Sequence, residues 1–407
     1  MRLVIPDNKQ IHGAITSKQA LLLFVALWWI QHTVLSFATP ILRAIPVIGA
    51  VGEYVIPIIM LMILLMAVPC IAKQLHYSDI LFYLAMVALV FGTMLFMPEN
   101  EKYIQKSLWP ILGLSVSVYF LGVSFDLDSN KKALFWCSMC SVVLMYAYQL
   151  YQLALNRDLS TDNMYASYNV LPSVMYLIYW ALEKKKLRYW VVPIVGVILV
   201  FSYGTRGPIV AILAFVLLSA FLQYFWMKKG IQRVAYAVLS GTILIVVSMT
   251  NIILKVAEIL NDWFVAIGFS TRIMDLFIQG EIAYDSGRDV ISDKITNAIW
   301  KNPILGYGIM GDRRVLVAGE GEYAHNILLE FWCDFGLVIG TVLIVLVFYL
   351  IIAAIAKEKK NRLFVLMIST IVISKLMFSG SFIVEPYFFL MLGLCVRTLR
   401  NAGKLED

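Results

Sequence analysis

The chain has 407 residues, of which 61% are hydrophobic and 14% charged, and its mean hydropathy is +0.82. This composition excludes an ordinary soluble globular protein and predicts a polytopic membrane protein. The formal net charge of +7 does not indicate a nucleic-acid partner, because such a partner needs a soluble basic face that so apolar a chain lacks.

Apolar runs long enough to cross roughly 30 Å of hydrocarbon as helices recur along the chain. They are continuously apolar rather than alternating, which excludes a closed β-barrel and predicts an all-α integral membrane protein. A re-entrant or interfacial piece in 38–52 is an open alternative. We place about twelve transmembrane helices at 19–38, 53–72, 79–98, 107–126, 133–153, 164–183, 189–204, 207–227, 235–259, 335–356, 363–379 and 382–398. The simplest partition is a single polytopic domain over residues 1–407.

Basic residues collect in alternate connections between these spans, as they do in cytoplasmic loops. They are Lys73, Lys131, Lys132, Lys184, Lys185, Lys186, Arg188, Lys228, Lys229, Arg233, Lys357, Lys359, Lys360, Arg362, Arg397, Arg400 and Lys404. Both termini are therefore predicted to be cytoplasmic. The one large polar loop, residues 260–334 between spans nine and ten, is predicted to be external.

Two other features of the chain predict little chemistry. Residues 1–18 lack the cleavage pattern of a signal peptide, so we expect the first span to be retained. Five cysteines are scattered over the spans and indicate no disulfide framework. Cys137 and Cys140 have the spacing of a redox motif, but they lie inside an apolar helix.

Arg206 lies in a tight break between spans seven and eight, on the predicted external side. Pro208 can start the next helix without losing a hydrogen bond, and an arginine at a helix N-terminus is well placed to bind an anion such as a phosphate. The alternative is a short loop whose arginine reaches to lipid headgroups, and position alone does not decide between the two. In the last two spans, Lys375 and Glu385 are expected to pair across the turn at 379–381.

Within the external loop, apolar residues from Arg288 to Trp300 recur at helical spacing. Ser286 could cap that helix, which would place Arg288 in its first turn. Arginine opposes the helix dipole there by up to about 1 kcal/mol, so we expect it to serve a bound anion. The helix should end at 302–303, and the turn at 306–308 should allow close approach to a ligand. Residues 309–324 are predicted to form a mobile lid or acceptor-contacting segment.

His325 falls at the start of the next helix, at the water boundary. A neutral histidine there can take a proton from a hydroxyl near physiological pH. Glu330 is predicted to cap or orient other loop groups. No second histidine neighbours His325, which argues against a zinc site. A carboxylate-only Mg²⁺ or Mn²⁺ site is an open alternative, with Asp285, Asp289 and Glu322 as its candidate ligands.

External arginines together with one histidine favour group transfer from a lipid diphosphate donor. Arginines can neutralise the diphosphate leaving group, and the histidine can deprotonate an attacking alcohol. The nucleophile elbow of hydrolases and the Walker and Rossmann glycine patterns are absent. The alternative built from the same residues is a transporter of an anionic lipid or sugar, but its expected midplane charges and half-repeats are not seen.

Several short motifs follow one another from about residue 200 to 345. They are Thr205-Arg206-Gly207, Ser286-Gly287-Arg288, Asn302-Pro303-Ile304-Leu305-Gly306-Tyr307-Gly308, and His325-Asn326 with Glu330, Gly336 and Gly340. In order and spacing the set resembles the bacterial O-antigen ligase and polymerase superfamily of membrane glycosyltransferases. Each motif is weak alone, and the first 190 residues match only in being transmembrane.

The resemblance implies a multi-spanning enzyme similar to the GT-C class, with an external active site in a bacterial inner (plasma) membrane. It implies an undecaprenyl-diphosphate-linked oligosaccharide donor and a glycan or lipid-linked acceptor, with no nucleotide sugar, cofactor or metal. Arg206 and Arg288 would bind the diphosphate, with Arg272 as a second-rank contact, and His325 would be the catalytic base or would position the acceptor. The supporting residues would be Tyr323, Asn326 and Glu330.

Within the superfamily, the sequences around His325 and the 302–308 turn look more like the polymerase or capsule type. A polymerase joins lipid-linked repeat units, with a chain-length regulator as a further partner. A ligase, which hands the finished chain to lipid A–core, is the alternative, followed by another lipid-linked glycan transferase and a flippase-like transporter.

Overall fold

The computed structural model describes residues 15–43, 52–154, 163–225, 250–266, 271, 275, 278–279, 288–316, 323–358 and 360–403. All regular elements within these residues are helical. The α-helices are α1 (Ser17–Arg43), α2 (Gly52–Ala72), α3 (Tyr77–Phe96), α4 (Glu101–Leu108), α5 (Val118–Ser124), α6 (Leu127–Ala154), α7 (Asn163–Lys184), α8 (Val191–Ser202), α9 (Arg206–Phe225), α10 (Thr250–Ala266), α11 (Arg288–Lys301), α12 (Gly311–Val315), α13 (Ile327–Lys357), α14 (Arg362–Phe378) and α15 (Pro386–Gly403). Short 3₁₀ turns occupy Pro98–Asn100, Leu187–Trp190 and Phe382–Val384, and a π-helical stretch occupies Trp109–Val116.

Helices cover most of the described part of every predicted span. Six runs among the described residues are long and apolar enough to cross a membrane: Ser17–Phe37, Tyr77–Phe96, Pro98–Ser124, Leu127–Gln152, Arg206–Tyr224 and Ile327–Lys357. The described part of the chain is therefore all-helical and consistent with a multi-pass membrane protein. The number of about twelve spans and the position of the large loop stay predictions.

The chain divides into two compact units. The first comprises Met1–Trp29, Val51–Leu134 and Asp285–Asp407, and the second comprises Ile30–Ala50 and Phe135–Tyr284. The single domain over residues 1–407 and the loop boundary at 260–334 stay predictions.

In the first unit, α5 and α15 cross at two glycines. A Cβ on Gly122 would overlap the carbonyl oxygen of Leu390 and lie 3.0 Å from Cα of Gly393. A Cβ on Gly393 would in turn lie 2.9 Å from Cα of Gly122. Because lipid is as apolar as the helices, close backbone approach at small residues supplies the packing that holds such helices together.

A buried ion pair joins the start of α3 to the end of α15. The Arg400 guanidinium donates from Nη1 and Nη2 to the two oxygens of Asp79, each at 2.7 Å. Tyr119 Oη and the His76 amide also donate to this carboxylate, each at 2.8 Å. Asp79 is fully buried, so these donors replace the water that its charge would otherwise require.

The predicted pair of Lys375 and Glu385 is confirmed. Lys375 Nζ lies 2.6 Å from Oε2 of Glu385, whose side chain is only 6% exposed. The pair joins the last turn of α14 to the loop that leads into α15. It holds the two helices together at the predicted external end.

In the second unit, polar side chains join neighbouring helices. Gln149 on α6 and Ser202 on α8 exchange hydrogen bonds of 2.9 and 3.2 Å, and Ser141 donates to Thr33 at 2.8 Å. Gly196 of α8 packs closely on Val174 of α7. A Cβ on Gly196 would lie only 2.9 Å from the Val174 side chain. These contacts join α6, α7 and α8, and α8 ends just before the turn that carries Arg206.

Candidate functional site

The predicted helix of the polar loop is confirmed as α11, which begins at Arg288 and ends at Lys301. Its buried face consists of Ile291, Ile295, Ala298 and Ile299, four of the five apolar residues whose spacing predicted the helix. The fifth, Val290, is exposed. Arg288 is half-buried at its first position. The predicted cap, Ser286, and its neighbour Gly287 lie outside the described residues.

The apolar face of α11 packs on the beginning of α13. Ile291, Ile295 and Ile299 form one buried cluster with Leu316, Ala324 and Cys333. His325 directly follows Ala324 in this cluster, and Arg288 lies one helical turn before Ile291. Hydrophobic burial therefore holds both predicted site residues in the same unit.

Helix α13 contains a break at Gly336, whose φ of 73° and ψ of 170° are not helical. The break frees backbone groups that a continuous helix would pair with each other. The turn after α11 pairs with them: Tyr307 N donates to Cys333 O at 2.8 Å, and Gly308 N to Asp334 O at 2.8 Å. In return, Leu337 N donates to Pro303 O at 2.7 Å. The turn thus replaces hydrogen bonds that the helix lacks.

Two glycines make this close contact possible. A Cβ on Gly306 would lie 2.5 Å from Gly336 N, and one on Gly308 would lie 2.5 Å from Met97 Sδ. Both have positive φ, of 68° and 77°, which side chains with a Cβ rarely adopt. Protein atoms therefore occupy the Cβ side of both glycines, and the close approach of this turn to a ligand stays a prediction.

Buried Asn100, at the end of the 3₁₀ turn after α3, holds the other edge of the turn. Its side-chain amide nitrogen donates to the carbonyl oxygens of Tyr307 at 2.6 Å and Ile309 at 3.1 Å. The turn is therefore fixed from two sides, by α13 and by the residue that precedes α4.

Three buried carboxylates accept hydrogen bonds from backbone amides in this unit, and one of them, Asp312, holds the residue before His325. Asp312 accepts from Ala324 N at 2.8 Å, and Asp334 accepts from the amides of Met310 at 3.2 Å and Gly311 at 3.0 Å. Glu330 accepts from Ser381 Oγ and, at 3.1 Å, from Phe382 N. All three acids are at most 1% exposed. These contacts of Glu330 are with the loop between α14 and α15, and its predicted role in orienting groups of the large polar loop stays a prediction.

Asp312 lies in an electrostatic setting that favours its neutral form. Burial raises the pKa of its carboxyl, and Arg313, whose Nη1 lies 3.6 Å from Asp312 Oδ1, only partly opposes this. A neutral carboxyl keeps a carbonyl oxygen that can accept from Ala324 N, so this contact does not require a charge.

His325 has a left-handed backbone, with φ of 53°. Its ring lies 4.1 Å, between centroids, from the ring of Tyr323. The next residue, Asn326, caps α13 by accepting from the amides of Leu328 at 2.9 Å and Leu329 at 3.4 Å. A non-glycine residue in this conformation costs of the order of 1–3 kcal/mol, and such strain is concentrated at functional sites.

The remaining predicted residues belong to the second unit. Arg206 is the first residue of α9 and follows Gly204, whose φ is 67°. It is half-buried at the helix N-terminus, as predicted. Arg272 lies outside the described residues. That Arg206 and Arg272 join Arg288 and His325 in one site stays a prediction.

The expected mobile lid is wrong for residues 309–316. Ile309, Met310, Gly311 and Asp312 are all buried, and α12 starts within this stretch. Residues 317–322 lie outside the described part of the chain.

Among the described residues, no group of histidine, cysteine and acidic side chains is arranged to hold a metal ion. Of the open carboxylate candidates, Asp289 is exposed and accepts from the amide of Val290 at 2.9 Å. Asp285 and Glu322 lie outside the described residues.

The sequence reading missed Asn100, Asp312, Arg313 and Asp334. Asp334 carried a usable signal, because an acid next to a long apolar run is expensive in a membrane unless it has a local partner. Asn100 carried none, because its partners lie at least 207 residues away. Asp312 and Arg313 are adjacent and pair with each other, but the sequence does not show that Asp312 is buried against the amide of Ala324.

A profile of the protein family described as O-antigen ligase matches residues 194–345. The matched range begins within α8 and ends within α13, so it includes Arg206, α11, the 302–308 turn and His325. No curated protein and no solved structure gives a significant match to the chain.

Proposed function

We propose that the chain is the repeat-unit polymerase of a surface polysaccharide, because its residues 194–345 match the family described as O-antigen ligase. At the level of the family it is a membrane glycosyltransferase that acts on lipid-linked glycans. The observation that carries the proposal is that one matched range contains Arg206, Arg288 and His325, the three residues predicted to perform the transfer.

In the proposed reaction, a hydroxyl oxygen of the acceptor glycan attacks the anomeric carbon of the sugar linked to undecaprenyl diphosphate. The new glycosidic bond forms as the bond from that carbon to the diphosphate oxygen breaks, and undecaprenyl diphosphate leaves. The hydroxyl proton passes to a ring nitrogen of His325. Arg206 and Arg288, with Arg272 as a further contact, neutralise the charge that grows on the leaving group.

The contacts around His325 support this role. The strained backbone of His325 lies between the Asp312-bound amide of Ala324 and the capping residue Asn326. A base held on both sides loses little orientation between turnovers, which is what general base catalysis requires. Tyr323 supports the ring from one face.

The proposal is tested in a strain that lacks the native gene, by the length of its surface polysaccharide. Loss of a polymerase should leave a single repeat unit on the lipid core. If instead no glycan is attached and long chains accumulate on the carrier lipid, the protein is a ligase and the polymerase proposal is overturned.

Complementation then tests the residues. Arg206→Ala, Arg288→Ala and His325→Ala should each abolish long chains at normal expression. Lys301→Ala is the matched control, because Lys301 is an exposed cation at the other end of α11 and should leave the polysaccharide unchanged. Long chains from His325→Ala would remove its catalytic role.

Two further measurements test the class of protein and its orientation. Purified protein in detergent should release undecaprenyl diphosphate from the lipid-linked donor, which a transporter would not do. A cysteine in place of Gly319 should react with an impermeant thiol reagent in cells whose outer membrane, if present, is permeabilised. Lack of labelling would contradict the external position of the loop and the cytoplasmic termini.

A further inference from the structure

The turn after α11 exposes two large apolar side chains at an unusual place. Ile304 and Leu305 are each 69% exposed, although they lie in the most polar region of the sequence. Neighbouring residues of the same turn are fixed by backbone hydrogen bonds to α13. The exposure of these two side chains is therefore a property of a well-anchored turn.

The turn adjoins the lipid-facing side of a membrane-crossing helix. Leu337 N donates to Pro303 O at 2.7 Å, which puts Ile304 beside the first residues after the helix break. Those residues continue as an exposed apolar stripe, in which Val338 is 67% and Ile339 52% exposed. The exposed apolar surface of the turn is thus continuous with that of the helix.

The length of α13 gives the depth of this position. From Leu337 to Lys357 the helix has about 21 residues, and at 1.5 Å per residue it is about 31 Å long. This equals the thickness of roughly 30 Å of a typical hydrocarbon core. If the charged Lys357 lies at one boundary of the hydrocarbon core, Leu337 and the adjoining turn lie at the opposite boundary.

A second helix gives the same depth independently. The run Tyr77–Phe96 is also long enough to span the membrane, and its last residues, Leu95 and Phe96, are 74% and 81% exposed. The next residue, Met97, contacts the turn at Gly308. Two membrane-crossing helices therefore end beside the same turn.

From these observations we infer that Ile304 and Leu305 insert into the acyl chains of the adjoining leaflet and anchor the loop at the membrane surface. Burying two such side chains in hydrocarbon is favourable, and the polar residues of α11 and α12 remain on the water side. The anchor does not depend on the proposed glycosyl transfer. It would hold His325 and Arg288 close to the level of lipid headgroups.

The test uses Leu305→Trp in vesicles that contain brominated phospholipids, which quench tryptophan on contact. After subtraction of the wild-type signal, bromines on shallow acyl carbons should quench the new tryptophan, and aqueous iodide should not. Val338→Trp, on the lipid-facing side of α13, is the reference and should be quenched to a similar extent. Ile304→Trp repeats the measurement if Leu305→Trp is not monodisperse after purification.

Quenching by iodide without quenching by bromolipid would overturn the anchor, because the turn would then be in water. Protection from both quenchers, with the mass of a dimer in detergent, would also overturn it and would show that a second copy of the chain covers the turn.

Discussion

Gly336→Ala should detach the turn after α11 from the broken helix. Gly336 has φ of 73° and ψ of 170°, a backbone region essentially restricted to glycine, and holding a residue with a Cβ there costs about 1–3 kcal/mol. The new Cβ would overlap the carbonyl of Ile304 and lie 2.9 Å from the carbonyl oxygen of Pro303. Because both obstacles are backbone, the overlap is relieved only if the turn moves away or the helix straightens.

Either movement breaks the three hydrogen bonds between the turn and α13. Each contributes about 1 kcal/mol net, and a straightened helix would recover part of this within itself. We therefore expect docking of the turn to weaken by about 2–4 kcal/mol in total. With 1.4 kcal/mol for each factor of ten, the amides of Tyr307 and Gly308 should exchange about 30- to 1,000-fold faster with deuterated water.

The assay is hydrogen–deuterium exchange of the purified protein in detergent, followed on peptides that cover residues 302–310. Gly92→Ala is the matched control, since nothing lies within 4 Å of its new Cβ. In the middle of a helix that change favours folding by up to about 1 kcal/mol, and it should leave the turn unaffected. If Gly336→Ala exchanged like Gly92→Ala, the argument that the turn replaces missing helix hydrogen bonds would be refuted.

Three other changes probe the remaining buried polar contacts. Asp79→Ala leaves Arg400 without its carboxylate partner and should destabilise the protein by about 2–3 kcal/mol. Lys360→Ala is the control, because its ion pair is exposed and its loss should cost less than about 1 kcal/mol. Equal decreases in the thermal unfolding temperature of the two variants would contradict this. Because burial raises the pKa of Asp312, its contribution to stability is present at low pH and is lost as pH rises through the folded pKa. Asp312→Asn should flatten this loss, and parallel curves of unfolding temperature against pH would argue against the raised pKa. Asn100→Ala removes two hydrogen bonds to the turn and should weaken its docking by about 1–3 kcal/mol, which would speed amide exchange of residues 302–310. Unchanged exchange would show that α13 alone holds the turn.

Local periodicity was enough to predict α11. The spacing of Ile291, Ile295 and Ile299 indicated both the helix and its buried face, because these residues repeat at the period of a single helical turn. The pair of Lys375 and Glu385 was predictable for a similar reason, since a short turn separates their helices.

Longer-range features left little trace in the sequence. Gly306 and Gly308 indicated a tight turn, but not that its partner is the break at Gly336. Residues 309–316 read as a mobile polar segment because the composition does not show that Asp312 is buried beneath Ala324.

The sequence by itself predicted the helical architecture, the position of most of the described helices and the family that matches residues 194–345. A long apolar run must be helical in lipid, because a helix pairs its own backbone N–H and C=O groups. The motifs that indicated the family can be read in order along the chain. The tertiary structure alone decided which polar groups from distant parts of the chain meet. Asp79 and Arg400 are 321 residues apart, and Asn100 and Tyr307 are 207 apart. Such partners are selected by how helices pack, and packing depends on surfaces that are far apart in the sequence.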